Sequence, residues 1–550
     1  MPDPESKPPA PGKPPSRITV VASRYAPVLA GAMALVLLIV VVPDATKGGS
    51  SSAFRPGGAT PVTGATSNAP VAQGGTAVPT VGGPLPSPSR SGITTGGMRC
   101  KPGVRQFTWS PYAPMCTADW SGPNGGATAH GVTASTITLV MRNPSDWDST
   151  ANTLGQPSFA SLLHDTQALV NYFNTQYELY GRRVVVKTFN GRGSFFAESA
   201  NTGQASASAD AQTAYNLGAF ADGFPLATGT YADAEASRQI IHFAPANSEA
   251  AYTANAPYRF GFPAGAVNEV QGAGVGALAC QRMAKMNAVF AGDATYQAST
   301  RTFAYVEAEQ PQFAGSGAVV EAQMSNCGES VKGYQYSAEI NSEVTQAAQI
   351  VRRLHADRIT TVLMFTDPVM ARFMTQAAAN QQYRPEWVFT VFPQSLARMA
   401  DASQMAHSID VSPWHATTGS PGERLCARIY KLADPDGNPA SGAQGLDFTC
   451  SLLMAFFAGL QQAGPNLSPE TFYNGWFTLP ASSHTSDFGR WSFGAKQWSP
   501  ISSFSVLQWN AGAHSDYDGG TAQWEPCRGP VDYLYKGAKL GSGQLQCYGR

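Results

Sequence analysis

Charge is scarce in this sequence. Lys, Arg, Asp and Glu make up 13% of the 550 residues and the net charge is −1, so there is no basic field to hold a nucleic-acid backbone. Cysteine is missing from the first 99 positions, and the eight that follow form no CxxC pair and have no His at zinc-ligand spacing. That excludes the usual redox and zinc signatures. Walker A, HExxH and GxSxG sequences are also lacking, and the eight histidines are scattered. "GAGVGA" (272–277) does not sit between a strand and a helix as a dinucleotide fingerprint would. "ADPDGNP" (433–439) lacks the further ligands and closing Glu of a calcium loop, and reads as a surface turn. These absences predict a protein that catalyses nothing and needs neither metal nor cofactor.

What the N-terminal part does contain is one long apolar run, "APVLAGAMALVLLIVVVP" (26–43), preceded by Lys7, Lys13, Arg17 and Arg24. Its length is the lower end for a spanning helix, and the basic flank favours an inside N-terminus. We expect a single-pass anchor with everything after it outside the cytoplasm; the alternative is a cleaved export signal. Residues 44–97 are mostly Gly, Ser, Thr, Ala and Pro, a composition that cannot bury enough apolar surface to offset its ordering entropy. That stretch reads as a disordered linker.

On the exported side the eight cysteines fall into four sequence-local couples: Cys100 with Cys116, Cys280 with Cys327, Cys426 with Cys450, and Cys527 with Cys547. An even number in an oxidising compartment predicts four disulfides. The first closes the lead-in at 98–135.

From residue 136 apolar strands alternate with helical periodicity. "TITLVM" is followed by a helix with Leu162, Leu163, Leu169, Val170 and Phe173 at helical spacing, and then by the strand "RRVVVKTF". The pattern continues through "LGAFADG" and "QIIHFAP", and a second series after residue 263 runs through "RTFAYVEAE", "GYQYS", "TTVLMFTDP" and "PEWVFTVFP". Such alternation predicts an α/β fold with two parallel sheets flanked by helices, in two Rossmann-like lobes. In such sheets ligands bind outside the carboxyl ends of the strands.

"GVTASTITLV", "NTQYELYGRRVVVKTF", "APYRFGFPAG", "QQYRPEWVFT" and "FSVLQWNAGAHSD" occur in an order and spacing that resemble the extracytoplasmic solute-binding proteins of ABC importers, of the branched-chain amino acid and amide type. The resemblance spans roughly 131–513. It implies a type I periplasmic-binding-protein, Venus-flytrap fold with a first lobe at 136–262, a second at 263–393, a return to the first at 394–486, and a return to the second at 487–550 with a disulfide-closed tail. It also implies capture of a small amino-acid-like, amide or aromatic molecule and its delivery to an ABC permease in the membrane. A ligand-sensing surface receptor and a secreted hydrolase are the alternatives.

The strand ends supply the site residues: Asn143, Ser145 and Trp147; Phe224, Thr228, Thr230 and Tyr231; Asn247 and Ser248; and, from the second series, Glu307, Phe313, Tyr336, Thr366, Asp367 and Phe392. The resemblance implies that Thr228 and Thr230 grip a ligand carboxylate, that Phe313 forms a wall, and that Asp367 meets an ammonium. Phe224-Pro225 stands where the family commonly has a small Ser-rich turn, and Phe195-Phe196 lies near the second strand; these bulky groups argue against a simple branched-chain amino acid.

Overall fold

The computed structural model describes residues 92–549 except 102, 223–225, 227, 245–247, 264, 311–312, 391, 415–423, 516–519, 529–532 and 535–544. These residues belong to one compact unit. The apolar run, the tail before it and the linker up to residue 91 lie outside the described residues.

The linker ends earlier than its composition implied. Gly92–Ile93 (β1) pairs antiparallel with Arg99–Cys100 (β2), and Thr94 between them is buried. The lead-in is strapped to the first lobe: Gln106 donates to the Gln176 carbonyl at 3.2 Å and the Tyr112 hydroxyl to the Gly489 carbonyl at 2.8 Å. The Cys100–Cys116 disulfide closes this loop, with Cα atoms 5.6 Å apart.

The first sheet has five strands, all parallel, in the order β4-β3-β5-β6-β7: Thr136–Asn143 (β3), Arg183–Asn190 (β4), Ala221–Asp222 (β5), Ile241–Ala244 (β6) and Arg259–Gly261 (β7). β3 is a nearly continuous apolar run because it is buried on both faces. The helices between the strands are Trp147–Leu154 (α1), Phe159–Phe173 (α2), Phe195–Ser199 (α3), Gln204–Asn216 (α4), Gly229–Ala236 (α5) and Glu249–Ala254 (α6).

Asn268–Leu278 (α7) opens the second series and runs into a π-helical turn, Ala279–Met283. The second sheet follows the order β14-β13-β12-β11-β10-β8-β9. Its strands are Phe303–Ala308 (β8), Val331–Tyr336 (β9), Thr361–Phe365 (β10), Glu386–Phe389 (β11), Ser408–Ser412 (β12), Ser503–His514 (β13) and Thr521–Pro526 (β14). β13 runs antiparallel to β12, to β14 and to a short eighth strand, Tyr533–Leu534, and the other neighbours pair parallel.

Two boundaries therefore move. β12 pairs with β11, so the second lobe does not end at residue 393. The return stretch to the first lobe consists of helices Leu425–Ala433, Gly442–Ala463 and Pro469–Phe477. It extends beyond residue 487, since the Gly261 amide donates to the Trp498 carbonyl at 3.1 Å. Residue 261 must be glycine there, because a Cβ would sit 2.7 Å from that carbonyl oxygen.

Gly442–Ala463 is apolar and long enough to cross a membrane. It is instead a core helix, 83% buried over its most apolar window and packed through Phe457 on Phe173 of α2. The "ADPDGNP" stretch is a pinned turn: Asp434 accepts from the Gly437 amide, and Asp165 accepts from Ala440 and Ser441. The other three expected disulfides are also present, with Cα separations of 5.9 Å for Cys280–Cys327, 5.9 Å for Cys426–Cys450 and 4.7 Å for Cys527–Cys547. No described cysteine is free.

Candidate ligand-binding cleft

Segments that follow strands of the two sheets touch at one point. Gln156 follows β3 and α1, Ser395 follows β11, and the Gln156 amide donates to the Ser395 hydroxyl at 3.0 Å. The same Ser395 oxygen lies 3.5 Å from Gln444 Oε1, again on the first lobe. Gln156 and Ser395 thus join the two lobes directly.

On the first-lobe side Asn143 is half-buried, donates to Asn190 at 3.4 Å, and has an Oδ1 with no partner among the described residues. Ser145 is exposed and its hydroxyl donates to the Gly193 carbonyl at 3.1 Å. Asp146 accepts from the Ser194 hydroxyl at 2.6 Å and the Phe195 amide at 2.7 Å, tying α1 to α3. Trp147 is buried; its indole donates to the Pro157 carbonyl at 3.1 Å and meets Phe195 edge-on at 5.0 Å. It is first a core residue of this lobe. Phe195 and Phe196 are half-buried beside it.

Behind this wall stands Arg142, which sequence reasoning missed. Its guanidinium is buried, forks onto both oxygens of Glu198 at 2.7 Å, reaches Asp210 at 3.2 Å, and lies 3.6 Å over the Tyr231 ring. Burial works against its charge, but paired Glu198 more than offsets it and lifts the pKa above the ordinary value. A Cβ at Gly193 would collide with Glu198, so only glycine leaves room for this pair.

The expected carboxylate-gripping hydroxyls belong to the same network. Thr228 donates to Glu198 Oε2 at 2.6 Å and caps α5 by accepting from the Tyr231 amide at 3.2 Å. Thr230 donates to the Glu198 carbonyl at 2.8 Å, and Tyr231 to Asp222 at 2.7 Å. All three are buried, and the structure directs them inward. Ser248 caps α6 by accepting from Ala251 at 3.3 Å. Phe224 and Asn247 lie outside the described residues.

Deeper still, Asp222, His242 and Arg259 stand in register across β5, β6 and β7, and His242 Nδ1 bonds Glu235. Burial pushes the Glu235 carboxyl up to about 8 and His242 down to about 3, so both favour their neutral forms.

On the second-lobe side Glu307 is buried and accepts from the Gly315 and Gly317 amides, both at 3.0 Å, at the start of helix Ser316–Asn326. Asp367 caps helix Pro368–Asn380 by accepting from Val369 at 2.8 Å and Met370 at 3.0 Å, while the Tyr336 hydroxyl donates to its other oxygen at 2.6 Å. Burial raises its pKa. Its position as an open partner for an ammonium is corrected: both oxygens are occupied from within the lobe. Phe313 packs on the second core, and Phe392 is buried against Phe389 at 4.7 Å. Thr366 is half-exposed and, with Phe389, Thr390 and Phe392, borders a void of about 10 Å³, no larger than a water needs.

The structure draws Thr228, Thr230, Glu307 and Asp367 into internal bonds, while Ser145 is exposed and Asn143 and Thr366 are partly exposed. Part of this was readable: Asp before Pro at the head of an apolar helix is an N-cap signal. No group of three or more His, Cys, Asp or Glu placed to hold a metal occurs among the described residues.

No protein-family model matches the chain, and no curated protein sequence matches it. Solved structures do match it in fold. The leucine-, isoleucine-, valine-, threonine- and alanine-binding protein of Brucella ovis, in its closed conformation, superposes with a TM-score of 0.52 at 12% identity, covering 74% of this chain and 97% of that one. An ABC-transporter solute-binding protein from R. palustris in complex with 4-hydroxybenzoate gives 0.51 at 11% identity, covering 73% and 97%. A fatty acid ABC transporter substrate-binding protein from Thermomonospora curvata gives 0.50 at 13%, covering 76% and 99%. This chain therefore has the two-lobed α/β fold of the type I periplasmic binding proteins.

Proposed function

We propose that the protein is an extracytoplasmic solute-binding protein that closes its two lobes on a small organic molecule and delivers it to an ABC permease. The observation that carries this reading is the two-lobed α/β fold, one sheet in each lobe, with the lobes bridged at Gln156 and Ser395. Contacts to both lobes exist only in the closed form, so a ligand that makes them shifts the population toward it. No chemical step is needed. The matched structures are an aliphatic amino-acid-binding protein, a 4-hydroxybenzoate complex and a fatty acid transporter's binding protein.

Among these classes the cleft favours a ligand with an aromatic or apolar body. Phe195 and Phe196 are half-buried on one side, while the threonine hydroxyls and Asp367 that would hold an amino-acid backbone are already engaged. The four disulfides and the apolar run before the linker support a location outside the cytoplasm, tethered by a membrane-spanning N-terminal segment.

Native mass spectrometry of protein from its own host, followed by calorimetry with benzoates, fatty acids and branched-chain amino acids, tests this. A retained aromatic or fatty acid, or micromolar binding of one, supports the reading. Turnover of any probe, or no binding of any of the three classes, overturns it.

A further inference from the structure

Asp222, His242 and Arg259 hold matching positions on β5, β6 and β7, so their side chains leave one face of the first sheet. α5 lies on that face and sends two side chains, one turn apart, down to the row: the Tyr231 hydroxyl donates to Asp222 at 2.7 Å, and Glu235 bonds His242 Nδ1. The Asp222 and Glu235 carboxyls lie within hydrogen-bond reach of one another. Asp222, Tyr231, Glu235, His242 and Arg259 are each at most 1% exposed. An ionised carboxylate can only accept, so a buried pair this close is held by a proton between its members.

The cations that face this row are already matched. Arg142 comes in from β3 and stacks over the Tyr231 ring at 3.6 Å, but its guanidinium is spent on Glu198 of α3 and Asp210 of α4. Arg259 is bonded to Asp233 on the outer side of α5 and lies 5.5 Å over the Tyr252 ring of α6. Burial pushes Glu235 up to about 8 and His242 down to about 3, and raises Asp222 well above the usual carboxylate range. In water the ordinary values return, 4.5 for Glu235 and 6.5 for His242. Lifting α5 from the sheet therefore changes the number of protons that the row binds.

We propose that the row is a proton-dependent latch: α5 stays on the sheet while Asp222 and Glu235 share a proton, and opens more readily as the solvent turns from mildly acidic to mildly alkaline. The window follows from the three groups together. Between about pH 4.5 and 6.5 the lifted helix gives up the carboxyl proton and gains one on His242, so the two effects cancel. From about pH 6.5 to 8 only the loss remains, and the latch weakens; above that the closed form has lost its proton too, and the effect levels off. α5 starts on the carboxyl side of β5, where such sheets take ligands. The latch acts on that side of the first lobe whatever ligand the protein takes.

Amide hydrogen exchange on the full chain, corrected for the intrinsic pH dependence of exchange, tests the latch. Protection of the α5 amides is expected to be level from about pH 5 to 6.5 and to fall at least about tenfold per pH unit from about 6.5 to 8. In Glu235→Gln the carboxamide can still donate to Asp222 and has no proton to lose, so the fall disappears. Asp222→Asn, which sets a neutral donor beside Glu235 and lets it ionise in place, removes the fall as well. Level protection across this range in the wild type overturns the proposal, and so does a fall that persists in both variants. Exchange in α5 no faster than in α2 at every pH also overturns it, since only global unfolding would then open the row.

Discussion

Thr228 donates a hydrogen bond to Glu198 at 2.6 Å and accepts one from the Tyr231 amide at 3.2 Å, so its hydroxyl is spent inside the first lobe. Removing it strips a cap from α5 and a donor from a buried carboxylate. Each loss is about 1 kcal/mol or somewhat more. We expect Thr228→Ala to lower unfolding free energy by about 2 kcal/mol in denaturant melts, with Thr228→Ser close to wild type. A tenfold loss of ligand affinity at unchanged stability would return Thr228 to the binding surface.

The disulfides are expected to contribute according to the loops they close. Cys280–Cys327 spans 47 residues and Cys100–Cys116 spans 16. In the chain-entropy account these are worth about 4 and about 3 kcal/mol. Replacing both cysteines of the longer loop by Ala should therefore cost more stability than replacing both of the shorter one, by about 1 kcal/mol. Non-reducing peptide mapping should recover all four local cross-links. A free thiol, or Cys100 joined to a distant partner, contradicts the arrangement.

Most of the fold was legible because strand and helix periods are local properties. "TITLVM" gave the first strand, and "TTVLMFTDP" holds β10, Thr361–Phe365. β12 was not legible: "SIDVS" is five residues long with a charge at its centre, and only pairing with β11 and β13 makes it a strand. The site was half legible. Strand ends could be named, but whether a hydroxyl faces a ligand or a buried carboxylate depends on a partner far along the chain, such as Glu198, 30 residues from Thr228. Arg142 gave one local sign, a cation inside an apolar strand, and its partners lie 56 and 68 residues away.

Glu343 is buried beside Asp367 and Tyr336, and its Oε2 has no partner among the described residues. Burial first, and the Asp367 charge second, push its carboxyl up to about 8. The folded state therefore holds a proton that the unfolded chain releases near pH 4.5. Stability from this group is fully present below that pH and is lost as pH rises through about 8. The slope is at most about 1.4 kcal/mol per pH unit. Glu343→Gln should flatten this part of the stability profile between pH 5 and 8, measured by urea melts at each pH. An unchanged slope would mean that Glu343 is ionised in the fold.

Ser395 sits between Gln156 and Gln444, so one hydroxyl of the second lobe touches two carboxamides of the first. These contacts need the lobes together and are independent of any ligand. A neutral hydrogen bond contributes about 0.5–1.5 kcal/mol, enough to change the open-to-closed ratio by about two- to tenfold. Ser395→Ala should therefore shift the ligand-free protein toward open forms and weaken ligand binding by the same factor, leaving the melting transition nearly unchanged. Spin labels at exposed Asn152 and Ala402, one on each lobe, report the separation directly. A longer mean distance in Ser395→Ala and in Gln156→Ala, restored to the wild-type value at saturating ligand, is the expected result. If the distance distribution of the variants matches the wild type without ligand, Ser395 is a passive contact and closure is set by the ligand alone.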